Sequence, residues 1–400
     1  MKKVFAGIIS LQLVASLASG CNFNEEEIRE RYSKELYENI VPFWETYSID
    51  REYGGYLTCL DREGRIYDTT KDMWMQWREV YMFSALNNRG KKNNKWIELA
   101  KHGYDFLVAK GRCSDGSYVT ILNRDGSEKT MSAPLAALFT HAFAAMACAE
   151  LYVATGDNKY RDEAMSCWKH YKAIGKKLDL QWRQLSYRVI GLNVMNVFNR
   201  CFKKQFVEEA TAIAAEMPRF VEPKSGLMLE RLKNDWSCDL SSPYGRFINS
   251  GHTVEAMSFL FDHIAITGDK TLLEFGKETA LRMFDYGWDI EKGGGFIYRD
   301  ILNMPCEKTD WMLKTWWANC EAATAMLRGW KLTKDKRFAN RFMMIDAYDW
   351  KNFKDSKFPE WFAYAPVDGR QCHTYKGNLR KGFFHLPRRL LDCITALSSN

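Results

Sequence analysis

The apolar positions of this chain fall at helical spacing over most of its length. Ile28, Tyr32, Leu36, Ile40 and Phe43 mark a first helix that begins near Glu25 and runs as far as Pro42. Later apolar-periodic segments come in pairs: Trp74–Leu86 with Trp96–Val108, and Leu135–Ala154 with Tyr160–Ile174. Val254–Ile266 is followed by Leu272–Tyr286, and Trp311–Leu332 by Arg337–Tyr348. Each is long enough for a globular helix. Between the pairs a degenerate unit recurs: a glycine turn, a short aromatic strand, then a polar turn. It reads GGYLTCLDREG at Gly54, DGSYVTILNRDG at Gly116, SGLMLERLKND at Gly226, GGGFIYRD at Gly294 and PEWFAYAPVDG at Glu360. One interval is much longer than the rest, and a missing member is expected near Leu180–Tyr187.

A helical hairpin plus a short strand, repeated about six times, signals a stacked or closed repeat architecture. An open solenoid needs polar capping repeats, and neither end of this chain shows one. The pattern therefore predicts an all-α fold. Its helices form a closed ring of two concentric layers, an (α/α)6 barrel, with short β-hairpins in the inter-helix loops.

The N-terminus departs from this pattern. Lys2 and Lys3 precede an apolar segment, Val4–Ala18, too short to remain as a membrane span. Leu17-Ala18-Ser19-Gly20-Cys21 resembles a bacterial lipobox. Residues 1–20 are thus expected to be a lipoprotein signal peptide with Cys21 as the lipid acceptor. Residues 21–400 are expected to be a single catalytic domain, exported and lipid-anchored in a bacterial cell envelope. The ten other cysteines are scattered without a C-x-x-C, so neither a disulfide scaffold nor a zinc site is expected. The net charge of +7 is spread over mixed signs, with no basic stripe, which excludes nucleic acid as a partner.

Two stretches carry candidate chemistry. In YKGNLRKGFFHLPR (Tyr375–Arg388), His385 stands just ahead of a helix expected to start at Pro387, with Arg388 in its first turn. In GRFINSGHTVE (Gly245–Glu255), Asn249 or Ser250 can cap a helix, His252 lies in its first turn, and Glu255 follows on the same face. The positive end of a helix dipole disfavours an imidazolium, so both histidines are expected to be neutral. Two neutral bases across a pocket suit proton abstraction on one face and delivery on the other. No Gly-x-Gly-x-x-Gly follows a strand, and there is no Walker A motif, His-Glu-x-x-His cluster or Gly-x-Ser-x-Gly elbow. No cofactor, nucleotide or metal is expected.

These stretches belong to an ordered set that resembles the N-acylglucosamine 2-epimerase family. The other members are EYGGYLTCLDREGRIYD, KDMWMQWREVYMFS, GGGFIYRD, DWMLKTWWANCEA and PEWFAYAPVDG. The resemblance implies the (α/α)6 barrel and inversion at C2 of an N-acetylated hexosamine, interconverting N-acetylglucosamine and N-acetylmannosamine. It implies His252 and His385 as the two proton-transfer groups. Arg78 and Arg388 would meet substrate oxygen and the developing anion, and Glu255 and Glu321 would orient or tune the histidines. The expected partner is a small amino sugar, with the membrane reached by the lipid anchor only; dimers occur in the family, which leaves a homodimer open. Three positions depart from the family pattern: Ser250 replaces a proline, Trp77 a glycine, and Asn319 a histidine.

Alternatives stay open at this point. A related aldose 2-epimerase or aldose–ketose isomerase would act on mannose-type sugars. A glycoside hydrolase on the same scaffold would need two carboxylates facing each other across the sugar, with no role for the histidines. A sugar-binding lipoprotein would need neither histidine.

Overall fold

The computed structural model describes residues 23–129, 134–306, 308–366 and 370–398. The expected signal peptide and Cys21 lie outside these residues, as does the end of the last repeat unit at 367–369. Helices α1 (Glu25–Lys34) and α2 (Val41–Tyr47) are joined by a π-helical turn, Glu35–Ile40. The first helix therefore does not end at Pro42. The π turn absorbs the break, and Pro42 falls in the first turn of α2, where its missing N–H is harmless. There follow α3 (Met73–Arg89), α4 (Asn94–Gly111), α5 (Pro134–Thr155), α6 (Asn158–Asp179), α7 (Leu185–Cys201) and α8 (Val207–Ala214). The chain continues through α9 (Ser250–Thr267), α10 (Lys270–Gly287), α11 (Trp316–Thr333), α12 (Lys336–Asn352) and α13 (His385–Ser398).

The predicted helix pairs are all present. α3, α5, α7, α9, α11 and α13 each pack on the next, and α13 returns to α3, so the ring closes. These inner helices are buried nearly all round, as a helix covered on both faces must be. The outer helices are amphipathic and lean on them. Short antiparallel strand pairs decorate the end of the barrel where the inner helices begin: β1 (Cys59–Leu60) with β2 (Ile66–Asp68), and β3 (Lys71–Asp72) with β4 (Ile121–Leu122). β5 (Trp182–Gln184) pairs with β6 (Arg231–Lys233), and β7 (Phe247–Asn249) with β8 (Tyr298–Asp300). β5 is the repeat member missing from the periodic pattern. Among the described residues, Cys59, Cys148, Cys167, Cys320 and Cys393 are buried and form no disulfide.

Towards the opposite end, each inner helix contributes one charge, and the signs alternate around the ring: Arg89, Glu150, Arg200, Asp262, Arg328 and Asp392. Arg328 bonds Asp262 at 2.8 Å and Asp392 at 3.0 Å; Arg89 also bonds Asp392, and Arg200 bonds Glu150. Arg89 with Glu150, and Arg200 with Asp262, interact through space. Asp392 anchors two arginines while itself buried. Asp392→Asn is expected to lower unfolding free energy by about 3 kcal/mol, because it takes a shared carboxylate from two partly buried guanidiniums, leaving Arg328 only Asp262 and Arg89 only the more distant Glu150. A denaturant midpoint unchanged from wild type would disprove that role.

Candidate active site

A cavity of about 380 Å³ opens where the inner helices begin. Every inner helix lends it a side chain: Arg78 from α3, Phe139 from α5, Ile190 from α7, His252 from α9, Trp317 from α11 and His385 from α13. Local sequence fixes these positions. Asn249 caps α9, its side chain accepting the His252 N–H at 3.2 Å, which sets His252 in the first turn. α13 begins at His385, two residues before the expected start at Pro387. His385 is therefore the first helical residue, with Arg388 N–H bonded to Phe384 O at 2.8 Å. The loop leading to it is pinned by two buried lysines. Lys376 donates to Asp355 at 2.9 Å, and Lys381 to Glu360 at 2.7 Å, while Trp44 donates to the other Glu360 oxygen.

Each histidine is held by a carboxylate through Nδ1. His385 Nδ1 donates to Glu321 at 2.7 Å, and His252 Nδ1 donates to both Glu230 oxygens at 3.0 and 3.1 Å. A carboxylate on Nδ1 fixes the tautomer and leaves Nε2 as the nitrogen available to a substrate. The Trp317 ring lies between the imidazoles, 5.7 Å from each.

The two histidines are nevertheless shifted in opposite directions. Burial, then the charges of Arg78 and Arg388, hold His385 down to about 3 against the pull of Glu321. Burial also works against charge on His252, but the Glu230 carboxylate outweighs it, and the net shift is upward. His385 is held neutral, as expected; His252 is shifted the other way, toward its charged form.

Arg388 lies behind the cavity. Its Nη2 donates to Glu321 at 2.5 Å and to Glu255 at 3.2 Å. Burial resists ionisation of Glu321, yet Arg388 and His385 bring it down to about 2; burial and the Glu321 charge push Glu255 up to about 7. Glu255, Glu321 and His385 bring ligand atoms within 4.8 Å of one another, but the Arg388 guanidinium already occupies the space between the carboxylates. A metal there would compete with a fixed cation.

Arg78 is the opposite case. It lines the cavity, makes no ion pair within bonding distance among the described residues, and its Nε is buried without a partner. Its guanidinium stacks on Phe143 at 4.2 Å and Phe384 at 4.6 Å. Burial brings it down to about 9, partly offset by Glu255 and reinforced by Arg388. It is a cation in an apolar wall, with donors free for an anion.

Of the six expected site residues, then, His252, His385, Arg78 and Glu255 face the cavity, and Glu321 and Arg388 support them from behind. Glu230 was not expected. It sat in a repeat unit, SGLMLERLKND, and its signal was a lone acid inside an apolar run ahead of a strand. Its backbone is fixed by the Phe247 carbonyl and the Leu185 N–H.

The three departures from the family pattern all face away from the cavity. Trp77 packs edge-on against Tyr104 and Tyr118. Ser250 N–H donates to Ile297 O at 3.0 Å, a bond a proline cannot make. Asn319 accepts from Gly295 N–H at 3.1 Å and donates to Thr315 O at 2.8 Å.

Residues 55–387 match the N-acylglucosamine 2-epimerase (GlcNAc 2-epimerase) family. The chain belongs to that family. It is 30% identical over 384 residues to N-acylglucosamine 2-epimerase of Homo sapiens, covering 91% of this chain and 89% of the relative. The protein of that name from Bos taurus is also 30% identical, over 392 residues, covering 93% of this chain and 91% of the relative. Among solved structures, cellobiose 2-epimerase from Bacillus thermoamylovorans superposes with a TM-score of 0.79 at 18% identity, covering 92% of this chain and 99% of the other. At that identity the likeness concerns the (α/α)6 fold alone.

Proposed function

We propose that the protein interconverts N-acetylglucosamine and N-acetylmannosamine by removing and replacing the C2 proton of the open-chain sugar. The observation that carries this is the pair of cavity-facing imidazoles, each tied to its own carboxylate, beside an unpaired guanidinium. The C2 hydrogen is acidic only next to a carbonyl, so the ring must open to the aldehyde. One histidine then takes the proton at Nε2, the C–H electron pair becomes the C1–C2 double bond, and the carbonyl π pair moves onto O1, giving a 2-acetamido enolate. The anionic O1 needs a cation, which Arg78 supplies from a water-poor wall. The other histidine delivers a proton to the opposite face. Relatives at 30% identity carry the name N-acylglucosamine 2-epimerase, against 22% for cellobiose 2-epimerase and 20% for D-mannose isomerase, which supports the N-acyl sugar over mannose or cellobiose.

The hydrolase reading finds little to work with. Glu255 and Glu321 are both engaged by Arg388 and do not face each other across the cavity. The discriminating experiment is proton NMR of candidate sugars with purified protein in deuterated water. N-acetylglucosamine is expected to yield N-acetylmannosamine labelled at C2. Conversion of mannose or cellobiose, with the N-acetylated sugars untouched, would refute the substrate assignment.

A further inference from the structure

The cavity is chemically lopsided. His385 is flanked by two arginines, Arg78 from α3 and Arg388 from its own helix, and its carboxylate, Glu321, is shared with Arg388. His252 has Glu230 to itself, both oxygens converging on one nitrogen, with Glu255 on its own helix adding negative charge and Arg231 opposing. The two dyads look alike in connectivity, but one is set in a positive surround and the other in a negative one.

Two-base inversion requires exactly one proton on the pair before each turnover, and its position decides which sugar can react. With the proton on His252, His385 is the base. The C2–H bond on its face breaks, its Nε2 gains that proton, and the electron pair enters the C1–C2 double bond of the enolate. The Nε2 proton of His252 then forms the new C2–H bond on the other face. The enzyme leaves with His385 protonated and His252 neutral. Before another turnover in the same sense, His385 must lose a proton to solvent and His252 must regain one.

We propose that Glu230 is the positioning residue that holds this proton on His252 in the resting enzyme, making His252 the donor and His385 the base for the first turnover. The assignment rests on the 2-epimerase reading above and deepens it. Nothing in the chain's motifs singles Glu230 out; it follows from the bidentate contact, from the burial of Glu230 beneath a half-buried His252, and from the absence of any such isolated anion beside His385 among the described residues.

A charged partner and a merely space-filling one make different predictions. Glu230→Gln keeps an acceptor for Nδ1–H but removes the charge. The alkaline limb of kcat/KM, where His252 loses its proton, is expected to move down by roughly one pH unit or more, the size of shift that loss of an adjacent opposite charge produces. The limb moves equally for both sugars, because the ratio of their kcat/KM values is fixed by the equilibrium constant. Partitioning is not so constrained. In deuterated water, the sugar whose C2 hydrogen faces His385 is expected to gain more deuterium without inversion in Glu230→Gln than in wild type. The enolate returns through His385 when His252 has no proton to give. Glu230→Asp, which restores the charge, is expected to restore the limb at reduced rate.

A purely structural glutamate would depress exchange and inversion together and leave the limb in place; that result overturns the proposal. Should Glu230→Gln fail to fold, carbon-13 NMR titration of the wild-type imidazoles decides instead. His252 is expected to titrate above an ordinary histidine while His385 stays neutral, and the reverse order overturns the proposal. Wild-type protein that exchanges no C2 hydrogen in any N-acylhexosamine would remove the function itself. Active wild type with an unmoved limb in Glu230→Gln removes the Glu230 assignment alone.

Discussion

Replacing His385 with asparagine is expected to abolish epimerisation, cutting kcat by on the order of 10³ or more, the upper range for loss of a positioned acid–base group. Asparagine retains a polar tip for Glu321 but cannot take a proton. His252→Asn is expected to be as damaging to inversion, with one difference. It leaves the base on the other face intact, so one of the two sugars should still exchange its C2 hydrogen for deuterium without changing configuration. His385→Asn should show the same residual exchange in the other sugar. This crossed pattern distinguishes a two-base site from a single base with a rotating intermediate, which would lose both exchange reactions together when its one histidine is removed. If either variant epimerises at near wild-type rate, the two-base mechanism is wrong.

The helices of this fold were legible because burial on one face leaves a 3.6-residue period, and the outer helices kept it. The inner helix α7 was not read, and for a physical reason. Its sequence, LSYRVIGLNVMNVFNRC, is buried nearly all round, and buried Arg188, Asn193, Asn196 and Asn199 interrupt its apolar positions, so no clean stripe stands out. The Asn249 cap was visible as chemistry in the sequence and is present as such. The charge ring at the far end of the barrel was invisible, because its members sit one per inner helix and meet only when the barrel closes.

The charge states of the histidines show where local reasoning stops. Both sit in the first turn of a helix, and the dipole argument treated them alike. A helix terminus contributes at most about 2 kcal/mol in buried settings. An adjacent opposite charge shifts a titration by one to three units, roughly 1.4–4 kcal/mol. For His385 the burial and the arginines act in the same direction as the dipole, so the expectation held for more reasons than the sequence offered. For His252 the dipole is overruled by Glu230, a residue 22 positions away on another element. No periodicity or motif in a single chain marks that contact.

Arg78 offers the sharpest separation of function from stability. A buried guanidinium without a counter-ion is a liability to the folded state, because desolvation of the charge is uncompensated. Methionine has a similar length, and Phe143 and Phe384 would pack against it as readily as they stack on the arginine. Arg78→Met is therefore expected to melt no lower than wild type. Its activity should fall by about 10²–10³-fold, as for loss of a donor aimed at a developing oxyanion. The loss should appear in kcat and kcat/KM alike, since the anion forms only after C2 is deprotonated. Arg78 also depresses His385, so the variant's acid limb should move upward, with rate lost as pH falls through the raised value. Paired measurements of melting temperature and pH–rate profile test this directly. A variant that is both less stable and fully active at saturating sugar would show that Arg78 serves the fold and not the enolate.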